Sequence, residues 1–299
     1  MNKPKLLIHK NVGGTLGMDH IFPALIESDL FEVGYHDEFL NTTRGVRGTI
    51  VYFENKKVYI DFWEYPTPTF TNAVYKEKFD LIIALQCNNV TLSRAQRYLK
   101  RKRMMNLEDS EMKEYLSKIV PWTFFPSRMF VPYIGREQDL FCNDIERVGF
   151  FCGKSWKVRG KISKSLQGQG IEIIHSSQER RRGRPLNDKQ FIRYMQTSKY
   201  GIVLGGRASA VTDQKNRREA DYMMMKKPLL INYHPFYYNQ LENGKHFILI
   251  DEETDLNSLE ERYNINEIAE NGHQWYLNNL TPTGVANVFR QIMKEKLNI

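Results

Sequence analysis

The architecture is clearest in two neighbouring stretches, YGIVLGGR (residues 200–207) and NRREADYMMMKKPLLI (residues 216–231). The first is an apolar run that ends in paired glycines, which is typical of a buried parallel strand and the loop after it. The second predicts a helix over 216–225 and a further short strand after Pro228. A strand, a helix and a second strand joined by short loops predict a parallel sheet that is covered by helices.

The same alternation extends in both directions along the chain. Downstream of residue 143 the predicted strands include 148–152, 171–174 and 247–250, and the predicted helices include 157–166 and 189–196. Upstream, 5–9 and the run FDLIIAL at 79–85 predict strands, 48–53 with 58–62 predict a hairpin, and 129–133 predicts a short strand or an extended loop. We therefore expect an α/β protein of two Rossmann-like domains with a ligand cleft between them. Their expected ranges are 1–143, an acceptor-binding domain with a β-hairpin insertion, and 144–299.

The last predicted element is a helix over residues 282–297. Val285, Val288, Phe289, Ile292 and Met293 form one apolar stripe at helical spacing. Thr281 is a suitable N-cap and Pro282 suits the first turn. A terminal helix of this kind often packs across a domain junction.

Composition excludes several classes of protein. The chain has 299 residues, of which 41% are hydrophobic and 26% charged, so it is neither disordered nor fibrous. No apolar run approaches the ~18 residues of a membrane span, and the apolar start is too short for a signal peptide. The three cysteines show no metal-type spacing. These features predict free thiols and a cytoplasmic protein without a transmembrane span.

Positive charge is concentrated in one part of the chain. The net charge is +8, yet residues 147–227 carry 19 Lys and Arg against 6 Asp and Glu. A local excess of this size predicts an anionic ligand such as a phosphate, a nucleotide or nucleic acid. The alternative is a solvated basic face. Two further basic runs, 94–103 and 180–184, suit either a polyanion or simple solubility.

Three glycine-containing loops that follow predicted strands are candidate phosphate-binding sites, because glycine lets backbone N–H groups approach an anion. The first holds Gly13, Gly14 and Gly17. The second holds Gly153 and Lys154, with Arg159 in the first turn of the following helix, and the third holds Arg207, with Arg218 at the start of the next helix. The first matches neither the dinucleotide nor the P-loop fingerprint. The alternative for the first is a tight turn, and the alternative for the second is that Lys157 and Arg159 point to solvent.

Residues 200–231 resemble the nucleotide-sugar site of two-domain, GT-B type glycosyltransferases, and are most similar to the exostosin-like group found in algae and large viruses. Arg218 and Glu219 match the family's Arg-Glu at the helix start, and Asp221 falls where the family has its ribose-binding Glu. Lys226 stands where the family has glycine before Lys-Pro. Residues 272–276 and Thr-Pro-Thr-Gly at 281–284 also fit the family, so the resemblance covers roughly 147–299.

The resemblance implies a glycosyltransferase, a hexosyl- or pentosyltransferase, that uses a nucleoside-diphosphate sugar as co-substrate and needs no metal or other cofactor. Lys154, Arg159, Arg207 and Arg218 would hold the diphosphate, Glu219 or Asp221 would hold the ribose, and Tyr222 would also belong to the donor site. A glycan or glycoprotein acceptor would bind the N-terminal domain. The absence of an Asp-x-Asp pair and of zinc spacing is consistent with metal-independent catalysis by cations and helix N-termini.

Asp19 and His20, which follow the first glycine loop, are the candidate catalytic residues. An imidazole with a near-neutral pKa can deprotonate an acceptor hydroxyl if transfer inverts the anomeric centre. If transfer retains the configuration, no such base is needed, and the sequence does not choose between the two. Two other functions stay open, a glycosyltransferase of the same fold that modifies nucleic-acid bases and a non-catalytic basic binding protein.

Overall fold

A computed structural model describes residues 3–10, 18–38, 48–61, 77–84, 109–122, 126–153, 157–175, 186–205, 213–214 and 217–299. The chain divides into two compact units. Unit 1 comprises Met1–Phe125, Phe236–Asn239 and Asn279–Ile299, and unit 2 comprises Pro126–Pro235 and Gln240–Asn278.

Unit 1 is built on a mixed sheet. Its strands are β1 (Lys5–His9), β2 (Glu32–His36), β3 (Gly48–Phe53), β4 (Lys56–Asp61), β5 (Leu81–Ala84) and β6 (Ile119–Pro121). Within the described residues they are ordered β2-β1-β3-β4-β5-β6, and only β3 runs antiparallel to its neighbours. The predicted hairpin is therefore β3–β4, and it lies in the middle of the sheet rather than projecting from it.

The helices in the described part of unit 1 are α1 (Met18–Glu27), α2 (Asp109–Ser117) and the final helix of the chain, Pro282–Leu297. The predicted apolar stripe of the final helix is buried in the core of this unit. There the Phe289 ring makes edge contacts with Phe31 and Phe53 and a tilted contact with Trp122. Burial of several aromatic rings against one another makes this helix a core element of unit 1.

A short crossing segment ties the same helix to unit 1. Asn239 Nδ2 donates hydrogen bonds to Asn279 Oδ1 at 2.7 Å and to Gln291 Oε1 at 3.4 Å, and the Tyr238 hydroxyl donates to Glu295. The chain thus enters unit 1 at Phe236–Asn239, returns to unit 2, and ends in unit 1.

Unit 2 contains a purely parallel sheet. Its strands are β7 (Arg147–Gly153), β8 (Ile171–His175), β9 (Ser198–Val203), β11 (Leu229–Ile231) and β13 (Ile248–Leu249), and a separate pair is formed by β10 (Asp213–Gln214) and β12 (His234–Pro235). The helices are α3 (Lys157–Gly168), α4 (Asp188–Gln196), α5 (Arg217–Met224), α6 (Leu259–Arg262) and α7 (Ile265–Asn279), and the final helix of unit 1 is α8. The described strands are ordered β13-β11-β9-β7-β8.

The predicted fold class, α/β with two Rossmann-like units, is confirmed by these two parallel-rich sheets. The five parallel strands of unit 2 have the doubly wound order 2-1-3-4-5 when counted along the chain. Local capping agrees with the sequence as well. The Thr281 hydroxyl accepts the Gly284 N–H at 3.2 Å, and Asn187 and Gln190 form a capping box at the start of α4.

The division between the units differs from the expected boundary near residue 143. Unit 2 begins at Pro126, because residues 126–140 contact it: Ser127 bonds to Asp221, and Gln196 Nε2 donates to the Leu140 carbonyl at 3.2 Å. The stretch 129–133, predicted as a strand or extended loop, is part of a 3₁₀ helix, Arg128–Tyr133. Pro132 lies inside it, where its fixed φ is compatible with a helical turn. Strand β2 was not predicted.

In the part of the chain that the structure describes, no helix combines the length and the apolar character needed to cross a membrane.

Candidate functional site

The chain order of the parallel strands places a crevice in unit 2. Strands β7 and β9 are neighbours, and the chain continues from β7 to β8 on one side of this pair and from β9 to β11 on the other, so the two connections diverge. In open α/β sheets ligands bind outside the carboxyl ends of the strands at such a switch point. Here that position lies beyond Gly153 of β7 and Gly205 after β9, and the N-terminus of α5 follows close along the chain.

Arg218, the second residue of α5, is held at this crevice. Its Nη1 donates a hydrogen bond to the carbonyl of Cys152 in β7, and its guanidinium lies 5.0 Å from the centre of the Phe191 ring. The side chain is half-buried. A guanidinium on an aromatic face beside a strand end is fixed in orientation and suited to a bidentate contact with a phosphate.

Two polar contacts organise the neighbouring strand ends. The Tyr233 hydroxyl donates to the buried carboxylate of Glu219, and the Gly205 N–H donates to Asn232 Oδ1 at 2.7 Å. Asn232 and Tyr233 directly follow β11, so β9, β11 and α5 are joined at their ends nearest the switch point. The first turn of α5 is therefore held in place, with Arg218 half-buried and Glu219 fully buried.

Asp221 is fully buried and bonded to a distant part of the chain. Its Oδ1 accepts the backbone N–H of Ser127 at 2.6 Å, and its Oδ2 accepts the Ser127 hydroxyl at 2.5 Å. Burial raises the pKa of this carboxyl to about 7, and the Ser127 hydrogen bonds and the charges of Arg218 and Arg217 oppose that rise. In this structure both carboxylate oxygens of Asp221 anchor the first residues of unit 2.

Tyr222 belongs to the core of unit 2. The side chain is buried, its hydroxyl donates to the Phe150 carbonyl at 2.8 Å, and burial raises its pKa. Strand β9 passes so close that a Cβ at Gly201 would lie 2.4 Å from Cγ of the Tyr222 ring. Glycine at 201 is required by this close approach, and Tyr222 positions α5 on the sheet.

The end of α5 explains the departure at Lys226 from the glycine of the resembled family. The Lys226 N–H donates to the Met223 carbonyl and the Lys227 N–H to the Tyr222 carbonyl, both at 3.0 Å, and Lys226 has φ 56°. This is the Schellman arrangement, whose left-handed residue is usually glycine. The Lys226 ammonium compensates by pairing with Glu270 and lies 6.0 Å from the Phe141 ring.

We expect the free energy of unfolding of Lys226→Gly to exceed that of Lys226→Ala by about 1 kcal/mol. Lys226→Gly should therefore unfold at a higher urea concentration. Both variants lose the Glu270 pair, which is worth little on a surface, but only alanine keeps a Cβ in the left-handed region. Urea titrations followed by circular dichroism give the difference directly. Equal midpoints for the two variants would contradict a strained backbone at this position.

Unit 1 carries its own polar groups at the carboxyl ends of parallel strands. His9 ends β1 and Asp61 ends β4, and both are buried. The His9 ring meets His36, at the end of β2, edge-on at 5.6 Å, and burial lowers the pKa of His36. These three residues were not identified from the sequence. Their only sequence signal is a polar residue that ends an apolar run.

The remaining predicted site residues are placed as follows. Asp19 and His20 lie in the first turn of α1, Gly153 ends β7, and Arg159 lies in the first turn of α3. Gly13, Gly14, Gly17, Lys154 and Arg207 fall outside the described residues, as do the basic runs 94–103 and 180–184. The structure brings Arg218 and Glu219 to the switch point with Gly153. Among the described residues, no three His, Cys, Asp or Glu side chains form a metal-binding group.

Sequence reasoning missed the partners that hold the site together. Asn232 and Tyr233 could have been found, because they are polar residues directly after an apolar strand. Ser127 and Phe191 could not, because they lie 94 and 27 residues from the α5 residues that they contact, in segments with no distinguishing pattern. Among the described residues, Cys142 and Cys152 form no disulfide.

No family model matches the sequence, and no curated protein does. A glycosyltransferase from Rickettsia africae ESF-5 is similar to the chain with 13% identity and a TM-score of 0.41, over 96% of this chain and 89% of its own. The pneumococcal O-GlcNAc transferase GtfA, solved with UDP and GlcNAc, has 11% identity and a TM-score of 0.38, over 92% and 55%. A mutant of S. aureus TarM, solved with UDP among other ligands, has 11% identity and a TM-score of 0.29, over 74% and 41%. The chain therefore spans about half the length of the latter two.

Proposed function

We propose that the protein is a glycosyltransferase that binds a nucleoside-diphosphate sugar at the switch point of unit 2. The observation that carries the proposal is Arg218, whose guanidinium is fixed between the Cys152 carbonyl and the Phe191 ring where β7 ends. A cation in the first turn of a helix opposes the helix dipole unless an anion lies nearby. A diphosphate at this position would receive both the guanidinium fork and the α5 N-terminus.

The charge of the surrounding sequence supports the same ligand class. Residues 147–227, a range that includes β7, β9 and the first turn of α5, carry an excess of 13 positive charges in the sequence. Phosphate-bearing ligands are favoured by such a field, and their association is accelerated. The sugar-nucleotide character rests on the resemblance of residues 200–231 and 272–284, and the finer assignment to an exostosin-like group is part of this proposal.

Of the two acidic candidates for the ribose, Glu219 is the better one. It lies in the first turn of α5 and is oriented by the Tyr233 hydroxyl. Both oxygens of Asp221 already accept hydrogen bonds from Ser127. We assign the ribose hydroxyls to Glu219 and a structural role to Asp221.

In the proposed reaction the bond between the sugar C1 and the diphosphate breaks, and a bond from C1 to an acceptor oxygen forms. The leaving diphosphate takes the electron pair, and cations with a helix N-terminus stabilise its charge. The acceptor, a glycan or glycoprotein hydroxyl, is assigned to unit 1. If the configuration is inverted, Asp19 or His20 takes the proton of the acceptor hydroxyl, and if it is retained, the leaving diphosphate takes that proton. The polar ends of β1 and β4 supply further groups on this unit.

The experiment is a thermal-shift panel with UDP, GDP, CMP and their common sugar conjugates, each with and without EDTA. A nucleotide that binds only the native state adds about 2.7 kcal/mol of stability at a hundredfold excess over its Kd. We expect one nucleoside diphosphate to raise the Tm, with the same shift in EDTA. No shift with any nucleotide, from a protein that unfolds cooperatively, would overturn the proposal.

A further inference from the structure

Unit 2 has a second concave site at the opposite edge of its sheet. A cavity of about 520 Å³ is lined by residues that precede or begin the parallel strands: Ile145 before β7, Lys199 in β9 and Pro228 before β11. The switch point lies at the carboxyl ends of the same strands. Six residues of β9 at about 3.3 Å each separate the two edges by roughly 20 Å, so this cavity is not part of the donor site.

Three lysines line the cavity, Lys199, Lys226 and Lys227. Lys227 is only 6% exposed, and its Nζ donates to the neutral carbonyl of Cys142 at a long 3.4 Å. Burial lowers the pKa of this ammonium. A buried cation that faces a carbonyl rather than a carboxylate is costly, and an anion in the cavity would offset that cost.

The other two lysines already have carboxylate partners. Lys199 pairs with Glu260 at 2.7 Å, and Lys226 pairs with Glu270. Glu260 is the acidic side chain among the lining residues that the structure describes. The lining therefore carries more positive than negative charge, with the buried Lys227 as its least compensated member.

The cavity also receives the N-terminus of α7, a helix of 15 residues. Asn264 caps it, since its Oδ1 accepts the Glu267 N–H at 3.2 Å, and Asn264, Ile265 and Asn266 all line the cavity. The positive end of the helix dipole thus adds to the lysine charge. Ile145, Pro228 and Ile265 supply an apolar wall beside these groups.

The lysines are not explained by the end of α5 alone. Cations near a helix C-terminus are favourable when they remain exposed to solvent, and Lys226, at 41% side-chain exposure, fits that description. Lys227 follows Lys226 in the Schellman turn, and its side chain is buried in the wall of the cavity. The volume falls within the range of small-molecule sites.

We propose that this cavity is a second anion-binding site, which takes a phosphate monoester whose organic part packs on the apolar wall. The phosphate lies between Lys227 and the N-terminus of α7. The site is independent of the donor nucleotide and goes beyond the proposed transfer reaction.

The probe is phenyl phosphate, titrated by isothermal calorimetry into the whole protein, with phenol and inorganic phosphate as comparators. We expect saturable binding that Lys227→Met weakens by about tenfold or more, because one charge-assisted contact is lost. Methionine has similar length and suits a buried position, so the fold is expected to survive. Lys164→Met, which removes an exposed lysine of α3, is the matched control and should leave binding unchanged.

Three results would overturn the proposal. The first is no saturable binding of phenyl phosphate, and the second is equal affinity for the wild type and Lys227→Met. The third is displacement of phenyl phosphate by UDP, which would place it at the switch point. Equal affinity for phenyl phosphate and inorganic phosphate would contradict the packing of the organic group on the apolar wall. If Lys227→Met does not fold, Lys227→Gln, whose amide can still donate to the Cys142 carbonyl, provides the same comparison. These measurements stand even if no nucleotide binds.

Discussion

Arg218→Ala is expected to weaken binding of the donor nucleotide by about a hundredfold or more. A bidentate contact between a guanidinium and a phosphate in a partly desolvated crevice is among the strongest polar contacts that one side chain makes. The wild-type orientation depends on the Cys152 carbonyl and the Phe191 ring, which alanine does not engage. The measurement is calorimetric titration with the nucleotide that gives the largest thermal shift, for the variant and for the wild type.

Two further variants separate the guanidinium fork from charge and from general damage. Arg218→Lys keeps the charge but loses the fork, so we expect an intermediate loss. Arg217→Ala removes the neighbouring cation of the same helical turn and should change affinity by less than about fivefold. Unfolding curves are needed for each variant, because Arg218→Ala removes a hydrogen-bond donor from the Cys152 carbonyl. Loss of such a donor lowers the free energy of unfolding by about 1–3 kcal/mol. Normal nucleotide binding by a folded Arg218→Ala protein would remove Arg218 from the site.

Asp221→Asn is expected to stabilise the protein at pH 8 and to have little effect near pH 4. Burial raises the pKa of Asp221 from 3.8 to about 7, so the folded state binds more protons than the unfolded state between these values. Stability therefore falls as the pH rises through this window and is constant above it. Three pKa units correspond to a loss of about 4 kcal/mol in the free energy of unfolding at high pH. The uncharged amide of asparagine avoids this loss, and its oxygen still accepts a hydrogen bond from Ser127.

The check is chemical denaturation of wild type and Asp221→Asn at half-unit steps from pH 4.5 to 8.5. Asp144→Asn changes an exposed carboxylate of the same unit and should show no comparable gain. A stability difference that does not change with pH would contradict the raised pKa. The same variant tests the ribose assignment. Because Asp221 is bonded to Ser127, we expect nucleotide affinity to change less than about threefold, whereas a ribose ligand would lose far more.

The sequence predicted most elements and the fold class because hydrophobic periodicity and punctuation by glycine and proline are local properties. Strand β1 and helix α8 have the predicted bounds, and α5 and β11 lie within a residue or two of them. Strand β2, Glu32–His36, was missed because EVGYH shows only weak alternation of apolar and polar residues. None of its five residues is fully buried. The segment 128–133 was misread because proline suits both extended chain and a 3₁₀ turn.

The candidate site was predictable only in part. Arg218 and Glu219 were identified from their place after a strand and a glycine loop. Lys226, which stands where the resembled family has glycine, has the left-handed backbone conformation that a helix end of this type requires. The resemblance implies donor-binding roles for Asp221 and Tyr222, and we propose structural roles instead, because both side chains are buried and hydrogen-bonded within unit 2. Their partners, Ser127 and the Phe150 carbonyl, lie 94 and 72 residues away, and no spacing rule connects them.

By itself, the sequence determined the alternation of strands and helices, the concentration of positive charge and the cation at the start of α5, since each depends on neighbours along the chain. Only the tertiary structure decided which strands flank the switch point and which carboxylate is buried against Ser127. It also placed α8 in the core of unit 1, although that helix follows unit 2 in sequence. An apolar stripe indicates that one face of a helix is buried. It does not indicate which element packs against that face, because burial of apolar surface is non-directional.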